Sequence, residues 1–375
     1  MKWSLYLGKV SGIKILIHWS FLFLIAWITV NGIREGDNVT TILYTIGFII
    51  SVFVCVTLHE LGHALTAKYF HYTTRDITLL PIGGMARMDE IPENPKHELA
   101  IAFAGPAVNL VIALLLYPLI WWFGKIPTFF TVLFNTGDTF LFSLMIVNID
   151  LAVFNLLPAF PMDGGRILRA LLSMQMNRVR ATVIASKIGQ VIATIFFITG
   201  LFYNPILAAA GIFIFMMAQT ESDYVKSKSI LHDYRVSDVL IRKFYSLDAF
   251  DTIHDATLAL LNVQATDFLI MEKGNVIGTL DRNRIIMALS EKGNASPVVL
   301  SMNAKVKFLS PDMPLDKVYS HLQSNSILPV MQNEKLIGIV DVNNILEFIM
   351  IKSAAEKSPT QSIIKKELAT ELSTA

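Results

Sequence analysis

A single cysteine among 375 residues leaves no partner for an internal disulfide and no cysteine cluster for a metal. Charge is scarce as well. Only 16% of the residues are Asp, Glu, Lys or Arg, and the net charge is +1. A chain so nearly neutral has no basic surplus with which to neutralise phosphates, so nucleic acid is not an expected partner. The N-terminal stretch lacks a small-x-small cleavage site after its basic and apolar residues, and its apolar run is expected to be retained as a first span. What the chain does have is apolar surface: 53% of its residues are hydrophobic, more than an ordinary soluble domain carries. The implied fold class is a multi-pass α-helical membrane protein, with the lipid bilayer as one of its partners.

The apolar residues are not spread evenly. Six runs, at about 15–33, 41–70, 97–123, 129–157, 182–202 and 204–220, are each long enough to cross a bilayer at roughly 20 residues per helix. The last two are parted only by "YNP" and predict a tight helical hairpin. From Glu221 onward charge returns and no further run follows, so the expected organisation is a membrane domain over 1–221, a soluble module over 222–351 and a polar tail over 352–375. Loop charge orients the bundle. With a cytosolic N-terminus, the inside segments carry Lys2, Lys9, Lys14, Lys68, Arg75, Arg87, Lys96, Arg166, Arg169, Arg178, Arg180 and Lys187, against Arg34 and Lys125 outside. By the positive-inside rule both termini are cytosolic, in the cell membrane if the source is bacterial.

The second run ends in "TLHELGHALTAKYF", which places ionisable groups where they are costly and therefore functional by default. Residues four apart share one face of a helix, so His59 and His63 can hold one metal ion with Glu60 beside it, the HExxH pattern of zinc hydrolases. A catalytic zinc takes three protein ligands and keeps a position for water. The extended motif with a third histidine fails, because Thr66 and Tyr69 stand at the later positions. By chemistry alone His71, His97, Glu98, Asp150 and Asp163 all remain candidates. Asp163 lies in "NLLPAFPMDGGR", where Pro158 and Pro161 end a helix and Gly164 and Gly165 allow a tight backbone path, although an Asp there can equally cap the next helix.

Taken together, "HELGH" on the second run, "AGPAVN" on the third and "NLLPAFPMDGG" closing the fourth resemble the site-2 protease family of intramembrane zinc metalloproteases. The resemblance covers about residues 1–220. It implies one zinc ion per chain, bound by His59, His63 and Asp163, with Glu60 as the catalytic acid/base and a membrane-tethered protein as substrate. Asn109 and Asn155, amides near the same depth, are candidates to donate to the oxyanion or the substrate. On the ligand reading, Glu98→Ala should leave zinc and activity nearly intact. Between the second and third runs, "RDITLLPIGGMARMDE" is too short and too glycine-rich to cross and is expected to form a re-entrant strand pair that receives an unwound substrate.

In the soluble half, "FLIMEKGNVIGTLDRNRIIMAL" from Phe268 and "LPVMQNEKLIGIVDVNNILEFI" from Leu328 align at an offset of 60. Each reads as strand, turn, strand and amphipathic helix. The repeat resembles a tandem CBS pair, a cytosolic α/β regulatory module, over about 233–350. That resemblance implies an adenine nucleotide as ligand, and a homodimer is a further expectation for such a duplication. Asp281 and Asp341, however, stand where nucleotide-binding members usually carry Ser or Thr. They read as helix N-caps whose charge repels phosphate, so weak binding or none is expected. The competing functional class is a membrane metal transporter or sensor carrying the same module. Such a protein needs ligands but no base beside the water, and Glu60 favours hydrolysis.

Overall fold

The computed structural model describes residues 4–81, 83–88, 92–122, 140–263, 265–322 and 327–356. The chain divides into two compact units, Met1–Asp223 and Tyr224–Ala375.

The first unit opens with strands β1 (Ser4–Val10) and β2 (Ile13–His18), then helix α1 (Phe21–Glu35). The first run was expected to be helical from about residue 15, and here the structure differs. Ile13, Ile15 and Ile17 alternate with Lys14 and Leu16, and β-branched residues at a period of two favour a strand that buries one face. Asn38 then caps helix α2 (Val39–Tyr69), accepting from Thr41 N at 2.8 Å. Strands β3 (Thr74–Leu80) and β4 (Gly83–Met88) form the expected pair. They also join the N-terminal hairpin in one sheet of order β1-β2-β3-β4, with β2 and β3 parallel. Ile13, Ile77 and Leu79 from this sheet pack on Leu61 and Ala64 of α2, which sets the sheet against the HELGHA turn.

Helix α3 (Pro95–Trp122) lies along α2, and Gly62 makes that approach close: a Cβ there would meet Ala104 O at 2.9 Å. Helix α4 (Phe140–Leu156) covers the later part of the fourth apolar run. The start of that run, 129–139, lies outside the described residues. A short turn leads into α5 (Asp163–Ser173), followed by α6 (Arg178–Tyr203) and α7 (Pro205–His232), parted at Asn204 as "YNP" predicted. Among the described residues α2, α3, α6 and α7 are long and apolar enough to cross a membrane, while α4 is apolar but shorter. Helix α7 outlasts its apolar run by several turns, and no Gly or Pro interrupts residues 221–232.

In the second unit the repeat is visible in the bounds of its elements. Strands β6 (Asp267–Glu272) and β7 (Asn275–Asp281) precede α9 (Arg282–Lys292), and β8 (Ile327–Gln332) and β9 (Lys335–Asp341) precede α11 (Val342–Glu356). Both hairpins turn through left-handed pairs, Lys273–Gly274 and Asn333–Glu334. β5 (Ser246–Asp248) and α8 (Ile253–Val263) precede the first copy, and α10 (Leu315–Leu322) precedes the second. Leu269, Ile327 and Ile339 form a cluster shared by the two copies. Helix α11 continues to Glu356, past the expected start of the tail at 352, and residues 357–375 lie outside the described residues.

Candidate metal centre

His59 and His63 lie on one face of α2, and both are buried. His63 Nδ1 donates to Ile101 O of α3 at 2.7 Å, a bond that leaves the Nε2 lone pair facing inward. His59 Nε2 is 3.1 Å from His63 Nε2, and its own Nδ1 is buried without a partner among the described residues.

The third group comes from the other side of the bundle. Met162 is the N-cap of α5 and makes no side-chain cap, while Asp163 opens the helix. Its carboxylate therefore does not cap the helix. Asp163 Oδ2 stands 3.2 Å from His59 Nε2 and 3.0 Å from His63 Nε2. The glycines after it make this path available. A Cβ at position 164 would lie 2.2 Å from Leu157 O, and one at 165 would lie 2.7 Å from Phe160 N, so only bare backbone packs here.

These three donor atoms fit a metal. Ligands about 2.0–2.1 Å from a tetrahedral zinc stand about 3.3 Å from one another, close to the spacings seen here. Three lone pairs pressed together in a buried site would otherwise repel. The donor set of two imidazoles and a carboxylate is one that zinc accepts in hydrolases. Among the described residues, His59, His63 and Asp163 are the one such group of ligating side chains. The other candidates lie elsewhere. His71 and Asp150 are exposed. His97 stacks on Phe70 with ring centres 4.2 Å apart. Glu98 is buried in an ion pair with Arg169, a pairing across 71 residues that no local pattern marks.

Two glycines shape the walls. A Cβ at Gly105 of α3 would lie 2.2 Å from His63 Nε2 and 2.6 Å from His59 Nε2, so the α3 backbone forms the floor of the site. A Cβ at Gly84 of β4 would lie 2.6 Å from Glu60 Cγ, which puts the last strand of the sheet directly against the half-buried Glu60. Neither contact was anticipated from sequence, since only a folded chain brings residue 84 to 60 or 105 to 63. Asn109 follows Gly105 by one helical turn and shares its face. It is wholly buried, and neither amide atom has a partner among the described residues. Asn155 differs, because its Nδ2 donates to Leu151 O at 2.9 Å within α4.

Comparison with known proteins bears on this geometry. The sequence model of peptidase family M50 matches residues 47–138 and 126–196, and that of the CBS domain matches 297–351. Zinc metalloprotease MJ0392 of Methanocaldococcus jannaschii is 32% identical over 95% of this chain and 99% of its own length. The putative zinc metalloprotease Rip3 of Mycobacterium tuberculosis is 25% identical over 96% of each chain. A solved site-2 protease from Methanocaldococcus jannaschii is 38% identical, with a TM-score of 0.44 over 59% of this chain and 95% of that one. With a full-length relative at this identity and a site whose donor atoms suit zinc, the chain belongs to peptidase family M50, the site-2 type of membrane zinc metalloproteases, and carries a CBS domain.

Proposed function

We propose that His59, His63 and Asp163 hold the catalytic zinc, that Glu60 is the acid/base, and that the substrate is a membrane-tethered protein cut near the cytosolic side. The observation that carries this reading is the convergence of three buried donor atoms beside a carboxylate that is not one of them. Bound there, zinc would lower the pKa of a water to about 7 and polarise the scissile carbonyl. Glu60 takes the water proton and returns it to the leaving amine nitrogen. Asn109 has an unspent amide, so its Nδ2–H is free to donate to the developing oxyanion. Asn155 has the weaker claim, because its amide already donates within its own helix.

Substrate entry follows from the sheet. β4 is its terminal strand among the described residues, so one edge of β4 has backbone groups available to pair with an extended segment. Pairing along β4 would carry the scissile bond past Gly84 toward Glu60. The lysines and arginines of the inside loops support a cytosolic position for both termini and for the module of residues 222–351. That module is read as regulatory, with Asp281 and Asp341 opposing a nucleotide phosphate.

The test is Glu60→Gln in the purified full-length protein. Metal analysis should find zinc retained, and a cleavage assay on a membrane-tethered substrate should find turnover abolished. Retained cleavage would refute Glu60 as the acid/base, and lost zinc would make it a ligand.

A further inference from the structure

Arg169 is the largest of the fully buried side chains, and the chemistry above makes no use of it. A guanidinium has five N–H donors and stays charged, so burying it requires anions fixed around it. Nε donates to Glu98 Oε1 at 2.8 Å and Nη2 donates to the same oxygen, while Nη1 donates to Glu221 Oε1. The guanidinium also sits 5.0 Å from the Phe160 ring centre, over the turn that leads into α5. Arg178, at the start of α6, approaches the free oxygen of Glu98 at 3.2 Å. Two arginines thus face two glutamates.

The positions of these groups relate them to the metal site. Arg169 lies on α5, the short helix that Asp163 opens. Glu98 lies on α3, one turn before Ile101, whose carbonyl holds His63. α3 is therefore gripped at Ile101 by a histidine of α2 and, a turn away, at Glu98 by the helix that bears Asp163. Glu221 belongs to α7, whose last turn supplies Leu231 to a core cluster of the second unit. The side chain of Glu98 is 5% exposed and that of Glu221 is 29% exposed. The first contact is sealed, and the second is within reach of water.

We infer that Arg169 is a positioning residue for the zinc site. Through Glu98 it locks α5 to α3 and fixes the Asp163 carboxylate relative to His59 and His63, and through Glu221 it makes that placement sensitive to α7. The inference rests on Asp163 being a zinc ligand. Lysine cannot reproduce it, because a point charge on a flexible stem cannot bridge two carboxylates in a fixed plane. On this inference Glu98→Ala should also weaken zinc binding, since its loss leaves Arg169 and Arg178 without their shared anion.

The experiment compares full-length Arg169→Lys and Glu221→Gln with the unaltered protein in a chelator titration of bound zinc, alongside thermal unfolding of the metal-free forms. Arg169→Lys should release zinc at a chelator concentration lower by roughly tenfold, the scale of groups that orient metal ligands, while its metal-free unfolding stays cooperative and near that of the unaltered protein. Glu221→Gln should shift release in the same direction by less, and it decides the matter if the lysine variant does not fold. Unchanged zinc release in a folded variant would overturn the inference. So would zinc release that merely tracks a fall in metal-free stability, which marks a structural role alone. Asp163→Ala in the same titration separates the two claims: if it keeps its zinc, the ligand reading fails and this inference with it, whereas if it loses zinc and the other variants do not, only this inference fails.

Discussion

In the second unit Asp281 precedes α9 and accepts from Arg284 N at 2.9 Å, and Asp341 precedes α11 and accepts from Asn343 N at 3.0 Å. In the first unit Asp163 also stands at a helix start, yet its carboxylate turns away from the helix toward two histidines. Near a helix start the same residue type does different things: Asp281 and Asp341 stand one position before the helix and cap it, whereas Asp163 is its first residue and Met162 takes the cap position. The surroundings differ as well: Asp281 lies opposite Asp267 of β6 and beside Arg284 of its own turn, whereas Asp163 faces His59 and His63 of α2 in a buried site. Local sequence makes each aspartate available, and tertiary packing decides what it holds.

The sharpest way to break this contrast is to change the packing and leave the aspartate alone. Gly105→Ala inserts a methyl 2.2 Å from His63 Nε2, and backbone on α3 cannot retreat without moving α2. We expect zinc content to fall to background and cleavage to vanish, measured by metal analysis and a membrane-substrate assay. A variant that bound zinc normally would mean that α3 does not shape the site. Gly84→Ala should act more gently. Its methyl meets the flexible end of Glu60, which can swing aside, so zinc and stability should hold while cleavage drops on the order of 100-fold, the scale of a misplaced catalytic group.

These two glycines mark the limit of what sequence reveals. HELGH announces a metal pair through helical spacing, and the offset of 60 announces the duplicated strand-strand-helix unit whose bounds the structure reproduces. Both signals are local and periodic. By contrast, Gly84 against Glu60, Ile101 beneath His63 and Glu98 paired with Arg169 depend on segments distant in the chain, and nothing periodic links them. The strand at Ile13–His18 was legible in principle from its alternating isoleucines, but a continuous apolar run masked the period of two.

On the second unit, calorimetry of the full-length protein with ATP, ADP and AMP should show weak heats or none. Tight binding would mean that Asp281 and Asp341 do not repel phosphate and that the two units differ less than their aspartates suggest. The smallest expected effect concerns Asp341 alone. Burial, together with the nearby Asp267 charge, raises its pKa despite the bonds from Asn343 that lower it. A raised carboxyl pKa means the folded state holds its proton more firmly than the unfolded one, so stability declines as pH rises through the raised value and the full penalty is present at pH 7. Asp341→Asn keeps the cap and removes the charge. The thermal midpoint of the second unit should rise by about a degree or two at pH 7 and by less as the pH approaches ~4. An equal gain at both pH values would separate the effect from ionisation.

The central claim is that Asp163, and neither Glu98 nor Glu60, completes the zinc shell. X-ray absorption at the zinc edge of the full-length protein tests it most directly. We expect a shell of two imidazoles plus oxygen at about 2.0–2.2 Å that survives Glu60→Gln unchanged and is lost in Asp163→Ala. A third imidazole, or a shell that persists without Asp163, would contradict it.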